Sequence, residues 1–450
     1  MAGVGLLNAR MKPPAVPQHA QITDLSHEGR GVAHVEGKAV FIDDALPGEQ
    51  VEWIRTKRTR NFDEGRLSQV ITPSADRITP RCMHFGICGG CALQHLGTGP
   101  QLQFKQQQLL EALNRIGQVT PAAILPPLEA GAWHYRRRAR LAARWVPKKQ
   151  RTVVGFRERS SSFIADLKRC EILAKPIDMM IEPLSLLISS LSVRAKVPQI
   201  EVAVADNATA LVIRVLDPLT DQDRQMLEAF QHEHGVDLYI QPGGYDTIAP
   251  LTGPVPKLEY RLAKFDVTLQ FEPTDFVQVN GPLNALMVER AIELLQLDPA
   301  DRVLDLFCGL GNFSLPIART AARVTAVEGE AGLVARAQGN AVRNGLANVE
   351  FHVANLAQPQ GQSSWANQHY NKILLDPPRA GAREVLEIVA RSGATTVLYI
   401  SCHPGSLARD AGILVHEHGF TLQSAGVMDM FPHTAHVESM ALFTKEGDRG

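Results

Sequence analysis

A cysteine and a glutamate near the C-terminus have the side chains that covalent catalysis on a nucleobase would need. Cys402 ends a short apolar run and is followed by His-Pro, which predicts a thiol at a strand end. Glu438 begins the last apolar stretch of the chain. A thiolate is a strong nucleophile, and a partly desolvated carboxylate has a raised pKa suited to proton transfer. Taken alone, Cys402 also fits a buried structural cysteine and Glu438 a solvated residue at a strand start.

A glycine-rich loop upstream of Cys402 has the pattern of a nucleotide-binding turn. Residues 305–312 read Asp-Leu-Phe-Cys-Gly-Leu-Gly-Asn, and the two glycines allow a tight turn and a close approach of the backbone to a ligand. Glu328 follows about twenty residues later, where a carboxylate accepts the ribose hydroxyls of a cofactor. NAD and S-adenosylmethionine (SAM) both carry that ribose. The incomplete Gly-x-Gly-x-x-Gly spacing and the downstream Asp-Pro-Pro-Arg at 376–379 favour SAM.

Alternating strands and helices from about residue 271 predict a doubly wound α/β sheet. Asp376 and Cys402 each directly follow a predicted strand, so both belong to the carboxyl edge of the sheet, where ligands bind in this fold. We therefore expect the two side chains to face one pocket. The segments 421–427 and 438–443 are expected to pair as a terminal hairpin.

The residue after the two prolines indicates which atom would be methylated. Enzymes that methylate exocyclic amines often carry an aromatic residue there, and Arg379 in its place disfavours that chemistry. C5 of a pyrimidine is a poor nucleophile until a thiolate adds to C6, and a base must later remove the C5 proton. Cys402 and Glu438 are the candidate nucleophile and base for such a reaction.

Charge is distributed unevenly along the chain, although the net formal charge of all 450 residues is −1. Residues 1–170 carry a net charge of +11, and residues 171–450 carry −12. Three basic clusters, at 55–60, 136–140 and 148–151, strengthen the prediction that the N-terminal part meets nucleic acid. The sequence has neither an apolar run of about 18 residues nor a signal-peptide pattern in 1–17. We expect a cytoplasmic protein without membrane contact, and nothing implies a stable protein partner.

Four of the six cysteines have a spacing that suggests a metal site. Cys82, Cys88 and Cys91 form a C-x5-C-x2-C cluster, and Cys170 follows much later. Structural zinc more often uses two C-x-x-C pairs, whereas three clustered cysteines with one distant ligand are common for iron–sulfur centres, so both remain open. Either centre would tie residue 170 to the 82–91 loop, and we hypothesise that it holds an RNA-binding central domain in shape. Cys308 is expected to be a packing residue of the glycine loop.

The N-terminal region is predicted to form a small barrel. Short strands at 22–25, 31–35, 39–42, 49–55 and 65–71 are separated by Gly, Asp and Pro turns. The segments 26–33, 41–42 and 45–49 resemble a TRAM domain, which implies an OB-like RNA-binding barrel over 18–75. We expect a central α+β domain over 76–270 and a Rossmann-like SAM-dependent methyltransferase domain over 271–450. A predicted helix over 101–117 is expected to pack against the catalytic domain.

Five motifs in sequence order resemble the RNA 5-methyluridine methyltransferases. They are Asp-Phe-Val-Gln-Val-Asn at 275–280, Leu-Asp-Leu-Phe-Cys-Gly at 304–309, Leu-Asp-Pro-Pro-Arg-Ala-Gly at 375–381, Ser-Cys-His-Pro at 401–404 and His-Val-Glu-Ser at 436–439. With the TRAM-like start and the cysteine pattern, the chain from residue 18 onward resembles the 23S ribosomal RNA (uracil-5-)-methyltransferases of that family.

This resemblance implies a role for each residue that matches a family motif. Cys402 would be the nucleophile and Glu438 the base, in a reaction that forms 5-methyluridine in 23S ribosomal RNA through a covalent bond to C6. The expected SAM contacts are Gln278, Phe307, Asn312, Glu328, Asn355 and Asp376. The resemblance also implies a [4Fe-4S] cluster on Cys82, Cys88, Cys91 and Cys170. One residue departs from the family, because His403 stands where Asn is usual; it could assist ionisation of the thiol or replace an amide hydrogen bond.

Four other functions fit the sequence less well than methylation of uridine in 23S ribosomal RNA. A tRNA 5-methyluridine methyltransferase would share the catalytic residues, but the TRAM-like barrel and the cysteine cluster speak against it. The cysteine of 5-methylcytidine enzymes usually follows a proline, whereas here proline comes after it. A non-catalytic RNA-binding scaffold would not need Cys402, Glu438 and the SAM loop together, and an iron–sulfur oxidoreductase would need a second cofactor motif.

Overall fold

The computed structural model describes residues 16–358, 360 and 363–446, and these form two compact units. The first unit contains the chain up to Thr79 together with Ala92–Gly97, and the second contains Pro80–Cys91 and the chain from Thr98 onward. The expectation about the segment 1–17 falls almost entirely outside the described residues. The expected boundaries near residues 75 and 270 stay predictions.

The first unit is built on one six-stranded sheet. Its strands are β1 (Gln18–Gln21), β2 (Asp24–Leu25), β3 (Gly31–Val35), β4 (Lys38–Asp43), β5 (Gln50–Arg58) and β6 (Phe62–Thr72). Their order is β1-β5-β6-β4-β3-β2, and because the edge strands β1 and β2 are consecutive in the chain, the sheet closes into a barrel. Ile22, Val40, Val51 and Trp53 fill the interior. The strand predicted at 22–25 is confirmed only at Asp24–Leu25, because at Ile22 and Thr23 the chain passes from pairing with β5 to pairing with β3.

The first part of the second unit mixes helices and strands, as expected for an α+β region. In chain order it contains α1 (Thr98–Ala112), β7 (Ala123–Ile124), β8 (Arg138–Val146), β9 (Arg151–Gly155), α2 (Ile181–Ser190), β10 (Gln199–Val204), β11 (Thr209–Arg214), α3 (Asp221–His234), β12 (Asp237–Gln241), β13 (Ala249–Pro250), β14 (Leu258–Leu262) and β15 (Val267–Phe271). One sheet has the order β13-β12-β11-β10-β8-β9, and β14 pairs with β15 as a hairpin. Apolar residues of α2, α3 and this sheet share one core.

The rest of the second unit forms the predicted doubly wound sheet. Its elements are α4 (Gly281–Leu295), β16 (Arg302–Leu306), α5 (Ser314–Ala318), β17 (Arg323–Glu328), α6 (Ala331–Arg343), β18 (Val349–Val353), β19 (Lys372–Leu375), α7 (Leu386–Arg391), β20 (Thr396–Ser401), α8 (Pro404–His416), β21 (Thr421–Met428) and β22 (Glu438–Thr444). The strand order is β18-β17-β16-β19-β20-β22-β21-β7. The first five strands are parallel, and β22 lies antiparallel between β20 and β21, which confirms the terminal hairpin.

Helix α1 ends against α8 of this sheet. After Ala112 the chain makes one wide π-helical turn over Leu113–Gly117, and Gln118 in the left-handed region ends it. A Cβ at Gly117 would lie 2.3 Å from the carbonyl oxygen of Ala408, so only glycine allows this approach. Strand β7 then pairs with β21, which adds an eighth strand to the sheet. Across the described ranges, none of the helices is both long and apolar enough to cross a bilayer.

Candidate active site

Cys402 and Glu438 lie next to each other at the ends of two paired strands. In the antiparallel β20–β22 ladder, Ser401 is aligned with Ser439. Cys402 and Glu438 each stand one position beyond this last pair, and the Glu438 carboxyl is close enough to raise the pKa of the Cys402 thiol. The structure thus brings together the two residues that the sequence predicted as nucleophile and base.

The surroundings of this pair keep both groups protonated in the free protein. Burial raises the pKa of Cys402 to about 11, and the neighbouring carboxyls of Glu438 and Asp376 contribute to the increase. Burial also raises the pKa of Glu438 to about 8, with a further contribution from Asp376. The Arg379 guanidinium acts in the opposite direction and lowers the pKa of both groups. Arg379 is therefore the cation that favours the reactive, ionised forms.

Asp376 lies at the same edge of the sheet as the catalytic pair. It directly follows β19, and its backbone N–H donates to the carbonyl oxygen of Leu306 at 3.4 Å. Burial raises the pKa of its carboxyl to about 7. Because Asp376 influences the pKa of both Cys402 and Glu438, the structure places Asp376 and Cys402 in one site, as the strand-end pattern predicted.

The glycine loop between β16 and α5 is bound directly to Glu328. Phe307 has a φ of +67°, and its N–H donates to the carbonyl oxygen of Val327 at 2.9 Å. Gly309 and Gly311 also have positive φ, of 53° and 91°. One carboxylate oxygen of Glu328 accepts from the N–H of Gly309 at 3.1 Å, and the other accepts from the N–H of Gly329 at 2.7 Å. The acid predicted to bind a ribose therefore lies against the loop predicted to hold the cofactor.

Asp305, the last acid before the glycine loop, is a functional candidate that the sequence analysis quoted only as part of a motif. The side chain is fully buried and the Ser314 hydroxyl donates to one oxygen, while the other oxygen accepts no hydrogen bond from the residues that the structure describes. Burial raises the pKa of Asp305 to about 7, and the carboxyls of Asp376 and Glu328 contribute. The sequence pattern that could have identified Asp305 is an acid near the end of a strand that leads into a glycine loop.

The three amide residues expected to contact SAM differ in how much of their side chain is available. The Asn312 side chain exchanges two hydrogen bonds of 2.9 Å with Asn284 and accepts a third from Tyr260 at 3.0 Å. Asn355 is exposed just beyond β18, and Gln278 is partly exposed in the loop before α4. The roles of all three in cofactor binding stay predictions, and the side chain of Asn312 is already engaged with α4.

The turn that leads to Glu438, residues 429–436, is held by side chains that the sequence analysis missed. We call this segment the catalytic turn. The Lys105 ammonium lies 2.6 Å from a carboxylate oxygen of Asp429, and the N–H of His433 donates to the Gln101 side chain at 2.9 Å. The Tyr135 hydroxyl donates to the carbonyl oxygen of Pro432 at 3.2 Å. These partners lie about 300 residues away in the chain, so no local pattern could have indicated them.

Comparison with known proteins identifies the family. The family model of tRNA (uracil-5-)-methyltransferases matches residues 99–446, and the TRAM domain model matches residues 18–67. The chain belongs to the tRNA (uracil-5-)-methyltransferase family. It is 51% identical to a 23S rRNA (uracil(1939)-C(5))-methyltransferase RlmD of Stenotrophomonas maltophilia, over 98% of this chain and all of that protein. It is 50% identical to the RlmD protein of Methylococcus capsulatus, over 97% of this chain and 99% of the relative.

A solved structure of the family has the same fold. The Pyrococcus abyssi tRNA (uracil-54, C5)-methyltransferase, in complex with S-adenosyl-L-homocysteine, superposes with a TM-score of 0.73. The match covers 95% of this chain and all of that chain at 22% sequence identity. The N-terminal TRAM domain and the mixed α/β methyltransferase fold expected from the sequence are thus both confirmed.

His403, which replaces the asparagine usual in the family, caps a helix. It occupies the N-cap position of α8, and its Nδ1 accepts a hydrogen bond from the backbone N–H of Ser406 at 3.1 Å. Asparagine fills such positions by accepting the same hydrogen bond through its side-chain oxygen. The imidazole therefore reproduces the amide hydrogen bond, which is one of the two roles considered for this residue.

The family's cysteine pattern is matched by thiols that influence one another. Cys82 and Cys88 both raise the pKa of Cys170, and burial is the larger cause of that increase. Backbone N–H groups point at these sulfurs; Gly90, for example, donates to the Cys88 sulfur at 3.4 Å. Neighbouring thiols with N–H donors suit a thiolate-held centre. Within the described ranges, however, no three His, Cys, Asp or Glu side chains are arranged as a formed metal site.

Proposed function

We propose that this chain methylates C5 of a uridine in 23S ribosomal RNA, with SAM as the methyl donor. The observation that carries the proposal is the apposition of Cys402 and Glu438 at the ends of β20 and β22. The choice of RNA is supported by relatives at 50–51% identity over nearly the whole chain, which are named for that reaction. An enzyme with this substrate would work in the cytoplasm, where ribosomal RNA is available.

The opposed pair can perform the covalent steps in sequence. The Cys402 thiolate would form a bond from sulfur to C6, and the C5–C6 double bond would supply the electron pair that makes C5 a carbon nucleophile. SAM, when bound, supplies the methyl group that C5 acquires. The Glu438 carboxylate would then accept the C5 proton, and the sulfur–C6 bond would break as the C5–C6 double bond re-forms. At the end of the cycle Cys402 is again a free thiolate, and Glu438 must release its proton before the next cycle.

Cys402 and Glu438 must both lose a proton before the site can react. Cys402 reacts as a thiolate, yet its pKa of about 11 keeps it a thiol in the free protein at neutral pH. Glu438, with a pKa of about 8, must be ionised when it accepts the C5 proton. Positive charge in the site favours both ionised forms; Arg379 acts on both groups, and Lys105 also acts on Glu438.

Residues along the carboxyl edge of the sheet would hold SAM. Glu328, bound to the N–H of Gly309, is placed to accept ribose hydroxyls when the loop carries the cofactor. Phe307 and Asp376 flank the same loop, because Phe307 follows β16 and Asp376 follows the adjacent β19. We propose that these three residues bind SAM together with Gln278, Asn312 and Asn355.

We also propose that Cys82, Cys88, Cys91 and Cys170 hold a [4Fe-4S] cluster with a structural role. The proposal rests on the family resemblance, on the mutual influence of the Cys82, Cys88 and Cys170 thiols, and on the N–H groups directed at them. Protein purified without oxygen should contain iron and acid-labile sulfide in equal amounts. Cys170→Ser should lose both, whereas Cys308→Ala, which changes a cysteine of the glycine loop, should keep both. A cluster-free protein with normal folding and RNA affinity would contradict the structural role.

A trapping assay tests the methyl transfer itself. The protein is mixed with SAM and 23S ribosomal RNA fragments in which 5-fluorouridine replaces uridine. Fluorine at C5 cannot leave as a proton does, so the covalent adduct should persist and survive denaturation. The adduct should map to Cys402 and be absent from Cys402→Ala. An adduct with a tRNA transcript and none with any 23S fragment would overturn the ribosomal substrate but retain the chemistry.

A further inference from the structure

A cleft lined by arginines opens beside the catalytic pair, and the mechanism above does not use it. It encloses about 480 Å³, within the usual size range of small-ligand clefts. Gly89 and Gly90 of the cysteine loop (residues 82–91) form one wall, and the segment 156–159 after β9 forms another. The far end is formed by Arg379 and His436. We call this feature the arginine cleft.

Three of the arginines in the cleft form no ion pair with a carboxylate of the described residues. Arg136, Arg157, Arg159 and Arg379 all line it, together with a single acid, Glu158. In the part of the chain that the structure describes, Arg136 bonds to the carbonyl oxygen of Arg138, Arg157 to that of Ser162, and Arg379 to the ring of His436; none of the three pairs with a carboxylate. Other arginines of this unit, such as Arg140, Arg151 and Arg169, do form ion pairs.

The cysteine loop and the arginine-bearing segment are joined by backbone hydrogen bonds. The N–H of Gly89 donates to the carbonyl oxygen of Arg157 at 2.9 Å, and Cys88 pairs with Glu158 in an antiparallel bridge. The Arg159 guanidinium donates back to the carbonyl oxygen of Cys91 at 3.0 Å. A Cβ on Gly89 would lie 3.0 Å from that same oxygen of Arg157, so the two segments are in close contact. The conformation of the cysteine loop therefore fixes where these arginines lie.

We propose that the arginine cleft binds the phosphate backbone of the single-stranded RNA that flanks the target uridine, so that the cysteine loop forms part of the substrate site. Guanidinium groups are the preferred protein partners of phosphate, and backbone contacts fix the register of a nucleic acid. Arg379, at the inner end of the cleft, is close enough to Cys402 and Glu438 to influence both groups. RNA bound in the cleft would thus extend to the active site, which the target uracil can enter only when it is unstacked from its neighbours. This inference rests on the proposed function, because it identifies what that function's substrate contacts.

Salt dependence of RNA binding tests the cleft independently of catalysis. Binding of a 23S ribosomal RNA transcript is measured at several salt concentrations for the wild type, Arg157→Gln and Arg136→Gln/Arg157→Gln. Each lost contact with a single-stranded phosphate should make the slope of log K against log salt shallower by about 0.7, which at 0.1 M salt weakens binding about fivefold. Arg157→Lys keeps the charge and should keep most of the slope.

The control is Arg224→Gln, which removes an exposed arginine of α3 that does not line the cleft. Thermal unfolding establishes that each variant is folded, and Arg157→Gln alone suffices if the double variant is not. A slope in Arg157→Gln equal to that of Arg224→Gln overturns the inference, even if the wild type forms the 5-fluorouridine adduct. If the wild type forms no adduct with any 23S fragment, the proposed reaction is refuted. If Arg157→Gln nevertheless has a shallower salt slope, the inference that the cleft binds RNA is retained.

Discussion

The ammonium group of Lys105 lies 2.6 Å from a carboxylate oxygen of Asp429, and both side chains are buried. Lys105 also donates to the carbonyl oxygen of Phe431 at 2.9 Å. Helix α1 thereby holds the start of the catalytic turn, whose other end leads to Glu438. The positive charge of Lys105 also lowers the pKa of Glu438. Lys105 therefore affects both the position and the ionisation of Glu438, the proposed base.

Replacing Lys105 should affect stability and pH dependence in separable ways. Lys105→Met leaves the Asp429 carboxylate buried without its partner, which should destabilise the fold by about 3–5 kcal/mol. Loss of the positive charge should raise the pKa of Glu438 further, so the rising limb of kcat/KM against pH should move to higher pH. Lys105→Met/Asp429→Leu removes both charges and should recover most of the stability while keeping the shifted limb. If the double variant also regains the wild-type pH profile, Lys105 acts only through structure.

Arg379 should control the activity of the site near neutral pH. It lowers the pKa of Cys402 and of Glu438, and both groups must be ionised to act. Arg379→Gln should therefore reduce kcat/KM at pH 7, by about tenfold for each unit by which either pKa rises, and the deficit should shrink as the pH increases. Arg379→Lys keeps the charge and should retain most of the activity. The part of the deficit that acts through Glu438 should shrink between pH 7 and pH 9, whereas the part that acts through Cys402 should persist while the pH stays below about 11. A deficit equally large at pH 7 and pH 9 would therefore show that Arg379 does not act through Glu438.

Asp305 should make the SAM-free protein less stable as the pH rises. Its pKa is raised to about 7 in the folded protein, whereas an unfolded aspartate titrates near 3.9. Between these values the folded state holds a proton that the unfolded state releases, so this group lowers the free energy of unfolding by about 1.4 kcal/mol per pH unit. Asp305→Asn should flatten the decline between pH 4 and pH 7, as measured by denaturant unfolding. Asp217→Asn, at an exposed site, should leave the decline unchanged; equal curves for wild type and Asp305→Asn would refute the assignment.

The cap formed by His403 should tolerate asparagine but not alanine. His403→Asn can accept the hydrogen bond from the N–H of Ser406 and should unfold like the wild type. His403→Ala removes the acceptor and should cost about 1 kcal/mol, as N-cap deletions typically do. Adduct formation by His403→Asn should proceed at close to the wild-type rate. A large loss of rate in a fully folded His403→Asn protein would mean that the imidazole acts on the Cys402 thiol.

Local sequence patterns predicted the methyltransferase sheet well and the barrel less well. The strands predicted at 421–427 and 438–443 are β21 and β22, because largely buried strands read as short apolar runs with turn residues on either side. The barrel strand predicted at 22–25 is confirmed only at Asp24–Leu25, since Ile22 is buried in the link between two short strands. The helix predicted over 101–117 does end at Gly117, but its last turn is π-helical, because the turn widens where Gly117 contacts α8.

The sequence by itself determined the kinds of groups in the site and the elements that carry them. Cys402, Asp376 and Glu328 each stand at a predicted strand end, and the glycines at 309 and 311 have no side chain that could block a ligand. These inferences depend only on neighbours along the chain. The family resemblance then added roles for residues such as Gln278 and Asn355, which no physical pattern distinguished.

Only the tertiary structure decided which groups act on one another. Glu438 faces Cys402 because β22 inserts antiparallel between β20 and β21, and that register depends on packing across the whole sheet. Lys105 reaches Asp429 because α1 docks on a sheet whose strands come some 300 residues later. Electrostatic coupling and burial depend on distance in space, which is why the raised pKa of Glu438 and the gathering of arginines in the cleft could not be predicted from the chain.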